Sequence, residues 1–228
     1  MFAKIRAFYV MLILLLFIGF MIPFVAIFRK LNNRLRYVTS KMIILFSGIK
    51  INTVGKADET ANMFIVNHQS MIDILALEVA SGKNIDLSWV AKLELFKIKF
   101  FGLALSLTGM IDLDREDRKG IIKLLKDSKD RIEKNRVVTI FPEGTRNLNN
   151  GFLPFKNGAG IIANKLKLKV QPVILVNTAR RFDIKNFSSS GGDVQVIFLE
   201  SFQATKDKDW LQNSREKMLK IFLEKSEK

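Results

Sequence analysis

The sequence contains no cysteine and one histidine. The first absence excludes disulfides, thiolate nucleophiles and cysteine-ligated zinc, and it fits a domain working on the reducing side of a membrane. The second excludes a metal site built from several imidazoles and leaves His68 as the only side chain for imidazole chemistry. Tyr and Trp number two each against 19 Phe, so the aromatic surface is almost entirely without a polar handle. That favours a lipid-adjacent protein, although Phe also stacks on nucleic-acid bases. Acidic residues are short as well: 22 against 37 Lys and Arg, for a formal charge of +15. Such a charge points to an anionic partner, whether nucleic acid, an acidic membrane surface or a phosphorylated substrate. There is no internal repeat, no low-complexity segment and no G-x-S-x-G elbow.

What is present begins with a hydrophobic run. Residues 7–28 carry no charge. As a helix they extend roughly 33 Å, enough to cross a hydrocarbon core. A signal peptide would have a shorter apolar stretch and an A-x-A-like cleavage site, which is missing. Lys4 and Arg6 precede the run, and Arg29, Lys30, Arg34 and Arg36 follow it. The heavier C-terminal cluster places everything downstream in the cytoplasm, on the inner membrane. Pro23 interrupts the run, and a second apolar piece at residues 42–49 is too short to span. The two together suggest a hairpin that dips into one leaflet, with spanning as the alternative. Residues 1–50 thus read as a membrane anchor and residues 51–228 as a separate domain that would carry the function.

Downstream, strands and helices alternate. Strands are predicted at residues 63–67, 87–91, 110–114, 137–141, 170–176 and 194–199. Helices are predicted at 70–80, with Ser70 as N-cap, and at 118–135, 158–165 and 209–223. The run Ser188-Ser189-Ser190-Gly191-Gly192 makes residues 187–193 a flexible loop. This pattern predicts an α/β fold with a mostly parallel central sheet flanked by helices.

Three segments could carry chemistry. His68 follows a strand and has Asp73 five residues on. On an ideal helix that separation is about 500°, so the pair meets only if His68 lies in the turn before the helix and folds back over it. The alternative is a capping box, with Asp73 at N3 bonded around Ser70. A Ser70-His68-Asp73 triad is poorly formed by three residues so close in sequence. The second segment is Phe141-Pro142-Glu143-Gly144-Thr145-Arg146, a strand running into a proline turn. It presents a carboxylate, a glycine that allows close approach, a hydroxyl and a guanidinium at a strand's carboxyl end. Its alternative is a solvated loop with an internal Glu143–Arg146 pair. The third runs from Gly109 to Arg115, which with Lys92 would add positive charge to the same sheet edge.

Taken jointly, these segments resemble the glycerolipid acyltransferase family that includes the bacterial 1-acyl-glycerol-3-phosphate acyltransferases. Asn67, His68 and Asp73 match its N-H-x-x-x-x-D motif, and Gly109 and Arg115 its second motif, where Asp112 departs from the usual apolar residue or proline. Residues 141–146 match F-P-E-G-T-R without change, and Val170-Gln171-Pro172-Val173-Ile174 matches a fourth, apolar motif. The order is right, and the resemblance covers residues 54–176 and the N-terminal helix pair.

The resemblance implies that His68 acts as general base on a glycerol hydroxyl, with Asp73 holding the imidazole. It implies direct attack on an acyl thioester, with Arg115, Arg146 and Lys92 holding the acceptor's phosphate and Glu143 contacting the glycerol; Thr145 also suits the phosphate, and Gly144 lets backbone come close to the ligand. The product would be phosphatidate. No metal or bound cofactor is implied; acyl-CoA or an acyl-carrier-protein thioester would be the co-substrate. Expected partners are lysophosphatidate, the thioester and an anionic membrane surface, with acyl carrier protein as a candidate and nucleic acid not expected. Residues 95–107 would form a wall of an acyl tunnel. The rival within the class is an acyltransferase for another acceptor, a lyso-ornithine lipid or a remodelled lysophospholipid. The rival from another class is a membrane-tethered basic binding protein without catalysis.

Overall fold

The computed structural model describes residues 1–114, 120–204 and 209–226. The N-terminal segment folds as a helical hairpin, with a second arm that differs from the predicted apolar piece. Helix α1 (Phe2–Ile27) continues through Pro23, a single turn at Arg29–Leu31 follows, and α2 (Asn32–Phe46) returns. The apolar piece at residues 42–49 is not one element. Its first five residues end α2, Ser47 and Gly48 turn the chain, and Ile49 opens a strand.

The remaining elements, in chain order, are β1 (Ile49–Val54), β2 (Met63–Val66), α3 (Ile72–Ser81), β3 (Leu87–Lys92), α4 (Leu93–Phe96), α5 (Phe101–Leu107) and β4 (Ile111–Leu113). Then come α6 (Gly120–Glu133), β5 (Val137–Ile140), α7 (Gly158–Leu166), β6 (Lys169–Val176), α8 (Thr178–Arg181), β7 (Phe182–Asp183) and β8 (Ser188–Ser189). The chain closes with β9 (Gly192–Phe198), β10 (Phe202–Gln203) and α9 (Trp210–Lys225). Residues 118 and 119 of the predicted 118–135 helix lie outside the described residues. The predicted loop at 187–193 is instead structured: β8 pairs antiparallel with β7, and Gly192 already belongs to β9.

The main sheet runs β1-β9-β6-β2-β5-β3-β4, with β10 beside β6. From β6 to β4 all neighbours are parallel, whereas β9 is antiparallel to β6, with β1 parallel to β9 at that end. Strands β2 and β5 are fully buried, as a parallel sheet covered on both faces requires. The period-two rule divides β2 between two cores. Phe64 and Val66 pack with residues of α1, α2 and α3, and Met63 and Ile65 with residues of α6, α7 and α9.

The hairpin packs on the domain, α1 against β8 and α5 and α2 against α3. Arg6, near the start of α1, donates to the Ser47 carbonyl. At the other end Asn32 donates to Leu107 O at 3.0 Å and Asn33 to Lys83 O at 2.7 Å. The outer side of α1 leaves Phe8, Leu12, Leu15, Leu16, Phe20 and Ile27 exposed, an unbroken apolar stripe. By length and composition α1 could cross a membrane.

Candidate active site

Strands β2, β5, β3 and β4 are neighbours and parallel, so their carboxyl ends share one edge of the sheet, where open α/β folds bind ligands. His68 follows β2, the F-P-E-G-T-R segment begins where β5 ends, and Lys92 closes β3. Arg115, just past β4, lies outside the described residues.

Asn67 fixes the end of β2. Its amide donates to Leu175 O at 2.9 Å and accepts from Leu175 N at 2.7 Å, extending the contact with β6 by a side chain. The next residue is thereby aimed at the edge. His68 Nδ1 lies 2.7 Å from Asp73 Oδ2, and the same oxygen accepts from the Gln69 and Ser70 backbone N–H groups at 2.6 and 2.8 Å. Asp73 is fully buried. Because the carboxylate is an acceptor, Nδ1 carries the proton and Nε2 presents its lone pair, the tautomer a general base needs.

The sequence expectation of a helix starting at Ser70 is corrected. Helix α3 begins at Ile72, and Ser70 Oγ donates to Phe182 O at 2.6 Å. Of the Ser70–Asp73 capping box only one half forms: the carboxylate accepts from Ser70 N, but Ser70 Oγ accepts from Ile72 N at 3.3 Å and not from Asp73 N. The Ser70 hydroxyl is thus committed away from His68, which removes the serine-triad alternative.

The His68 ring is also held on its face. It stacks on Phe141 with ring centroids 3.9 Å apart and planes 14° from parallel. Phe141 in turn stacks on Trp89, at 5.2 Å and 23°.

Glu143 is 2 % exposed and braces this arrangement from below. One oxygen accepts from the His68 backbone N–H at 2.8 Å, the other from Leu153 N at 2.7 Å. Asn147 N donates back to His68 O at 2.8 Å, so the two motif loops are joined in both directions. Burial pushes the Glu143 carboxyl up to about 7, against the two N–H donors that favour its charge; the nearby Asp73 adds to the push. As placed, Glu143 holds backbone, not a position open to a glycerol. Arg215 of α9 bonds the Phe152 and Leu153 carbonyls at 2.9 Å and steadies the segment that Glu143 grips.

Gly144 has φ +73°, a conformation that favours glycine, and a Cβ there would lie 3.2 Å from the Lys156 side chain. Lys156, absent from the sequence-derived site, therefore lies across the motif. Thr145 and Arg146 are exposed, and Arg146 has no ion-pair partner among the described residues. The internal Glu143–Arg146 pair is therefore not formed. Lys92 pairs with Glu94 at 3.1 Å and is half exposed.

A cavity of about 330 Å³ opens between the sheet and helices α6 and α7, joined to the dyad through Phe141. Phe141 forms part of its wall with Val90, Leu113, Ile121 and Leu124, and Gly144 and Lys156 line it too. Residues 95–107, expected to wall an acyl tunnel, do not line this cavity; they include α5, which packs against α1.

Comparison with known proteins gives the family. A family model described as Acyltransferase matches residues 50–176. The 1-acyl-sn-glycerol-3-phosphate acyltransferase of Helicobacter pylori (strain J99 / ATCC 700824) is 40% identical over 200 residues, covering 86% of this chain and 84% of that protein. The chloroplastic enzyme LPAT1 of Arabidopsis thaliana is 31% identical over 206 residues, 86% of this chain and 56% of that one. The crystal structure of the 1-acyl-sn-glycerophosphate acyltransferase PlsC from Thermotoga maritima superposes with a TM-score of 0.78 over 96% of this chain and 94% of that one, at 21% identity, which shows a shared fold. With a family model over more than half its length and these relatives beside it, this chain belongs to the acyltransferase family.

Proposed function

We propose that this enzyme transfers an acyl chain from a thioester to the sn-2 hydroxyl of 1-acyl-glycerol-3-phosphate, giving phosphatidate. The observation that carries the chemistry is the His68–Asp73 pair, held at the sheet edge with Nε2 left to accept a proton. Nε2 takes the hydroxyl proton as the acceptor oxygen attacks the thioester carbonyl. The buried Asp73 carboxylate stabilises the imidazolium that results. Collapse of the tetrahedral intermediate breaks the C–S bond, and His68 returns its proton to the departing sulfur. No acyl-enzyme is needed, in keeping with the absence of cysteine and the commitment of Ser70 to Phe182 O. The step draws on no cofactor beyond the thioester.

Arg115, Arg146 and Lys92 supply positive charge for the acceptor's phosphate. The exposure of Arg146 supports that reading, as do the names of the relatives. Thr145 lies exposed beside it, a hydroxyl that suits the same phosphate, and Gly144 lines the cavity, where it lets backbone come close to the substrate. The apolar cavity sharing the Phe141 wall suits an acyl chain.

The anchor lies in one leaflet of the cytoplasmic membrane, with the catalytic domain on the cytoplasmic side. Helix α1 packs against both β8 and α5, with Arg6 near its start beside Gly191 and Asn32 just past its end bonded to Leu107 O, whereas a spanning helix would put those ends on opposite sides of the bilayer. The exposed stripe of α1 faces acyl chains, and the surplus of Lys and Arg holds the protein to anionic headgroups.

The acceptor is tested by offering the purified, detergent-solubilised protein a panel of lysolipids with acyl-CoA and with acyl carrier protein thioesters. Lysophosphatidate should give phosphatidate fastest, and the faster donor identifies the thioester. Faster acylation of a lyso-ornithine lipid or of a lysophospholipid with a larger headgroup would replace lysophosphatidate as the acceptor.

A further inference from the structure

Arg36 belongs to α2 of the hairpin, yet it is 6 % exposed and turned into the domain. Its Nε lies 3.1 Å from Glu78 Oε1, and its Nη2 bonds Asp86 Oδ1 at 2.8 Å and Leu87 O at 3.0 Å. Glu78, 3 % exposed, stands on α3, the helix whose first turn carries Asp73. The same Glu78 oxygen accepts from Trp89 Nε1 at 3.1 Å. Trp89 stacks on Phe141, and Phe141 on His68. An unbroken series of buried contacts thus runs from the membrane hairpin to the imidazole.

Each link fixes a degree of freedom that the next one needs. Asp73 holds one nitrogen of His68 and leaves the ring free to turn about that bond; the face of Phe141 removes the freedom. Phe141 is set in turn by the Trp89 plane, and Trp89 by its single N–H donor. That donor has a defined acceptor only while the Glu78 carboxylate stays in place, and the buried Arg36 is the cation that keeps it there. We propose that Arg36 is a positioning residue for His68, acting through Glu78, Trp89 and Phe141, so that the seated hairpin forms part of the catalytic scaffold.

The inference rests on His68 as the base, and its readout is separable from that reading. His68 is the only histidine, so the protein with labelled histidine gives one imidazole set in an NMR spectrum, and the stacked Phe141 shifts it upfield. Arg36→Met should move the His68 ring signals downfield, towards free histidine. It should lower kcat about ten- to a hundredfold, with KM for both substrates within about twofold, because substrate groups are untouched. Trp89→Phe keeps an aromatic ring and removes no charge, so it covers the case in which the Arg36 variant does not fold; it should give the same two effects. The double variant should lose no more kcat than the worse single one, since both break one series.

Asp86→Asn is the control: it weakens the bonds of Asp86 to Arg36 and Arg136 without touching Glu78 or Trp89, and should leave the His68 signals in place. Unmoved His68 signals in a folded Arg36 or Trp89 variant overturn the proposal, as does unchanged kcat despite moved signals, or an equal movement in Asp86→Asn. Activity surviving in His68→Ala would instead discard His68 as base and leave the positional readout standing.

Discussion

Two carboxylates meet the same histidine and do different work. Asp73 holds the ring nitrogen; Glu143 holds the backbone N–H of the same residue. Their environments separate them, and Glu143 carries a testable consequence. Its carboxyl is raised in the folded protein from an ordinary value of 4.5 to about 7, mainly by burial. The folded state therefore holds this proton more tightly than the unfolded chain does. The contribution to stability is complete below the ordinary value and is lost as pH rises through about 7. In Glu143→Gln that titration is gone. The melting temperature of the parent minus that of the variant should therefore fall between about pH 5 and pH 8. A constant difference would contradict the assignment.

At this scale the dyad was legible in sequence because one histidine stood before a helix with a carboxylate at the right distance. The place of Glu143 was not legible. A motif shows that a carboxylate exists, and only the fold shows that both its oxygens are taken by N–H groups. Arg36 was the deepest misreading. In sequence it is one more basic residue flanking an apolar run, and nothing there indicates that Glu78 and Asp86 wait for it inside.

At the scale of elements, long patterned segments were readable and short ones were not. Strands β2, β5 and β6 are apolar runs buried on both faces, and the sequence shows them directly. Strand β1 alternates towards polar residues at the far end of the sheet and was missed, as were the short helices α4, α5 and α8. The Ser-Gly run reads as a loop because its residues favour turns, yet β8 and the start of β9 lie there; strand pairing overrides composition. Helix α3 starts at Ile72, and the turn before it is held by long-range and local bonds together: Ser70 Oγ donates to Phe182 O, and Asp73 accepts from the Gln69 and Ser70 N–H groups.

The hairpin permits a prediction of its own. A cysteine-free chain accepts single cysteines without background. Lys4→Cys and Lys30→Cys lie on exposed residues flanking the apolar run. When the protein is bound to the outside of sealed anionic vesicles, both should react with a membrane-impermeant maleimide. Protection of one of the two would show that α1 spans.

For the whole molecule, the arrangement explains why an enzyme of soluble design carries so much exposed apolar and basic surface. The exposed apolar stripe of α1, the buried Arg36 and the stack beneath His68 are successive layers of one body. The α/β class and the parallel order followed from alternating patterns, and the family from motifs in order. The union of anchor and catalytic domain did not, because it depends on contacts between segments distant in sequence.

The most direct test of the account is acyl transfer to lysophosphatidate by the parent and by His68→Ala, with lysophosphatidate binding measured on both. The account predicts that the variant folds, binds the acceptor as the parent does, and transfers about 10²–10⁴ times more slowly. Transfer at the parental rate by His68→Ala would contradict it.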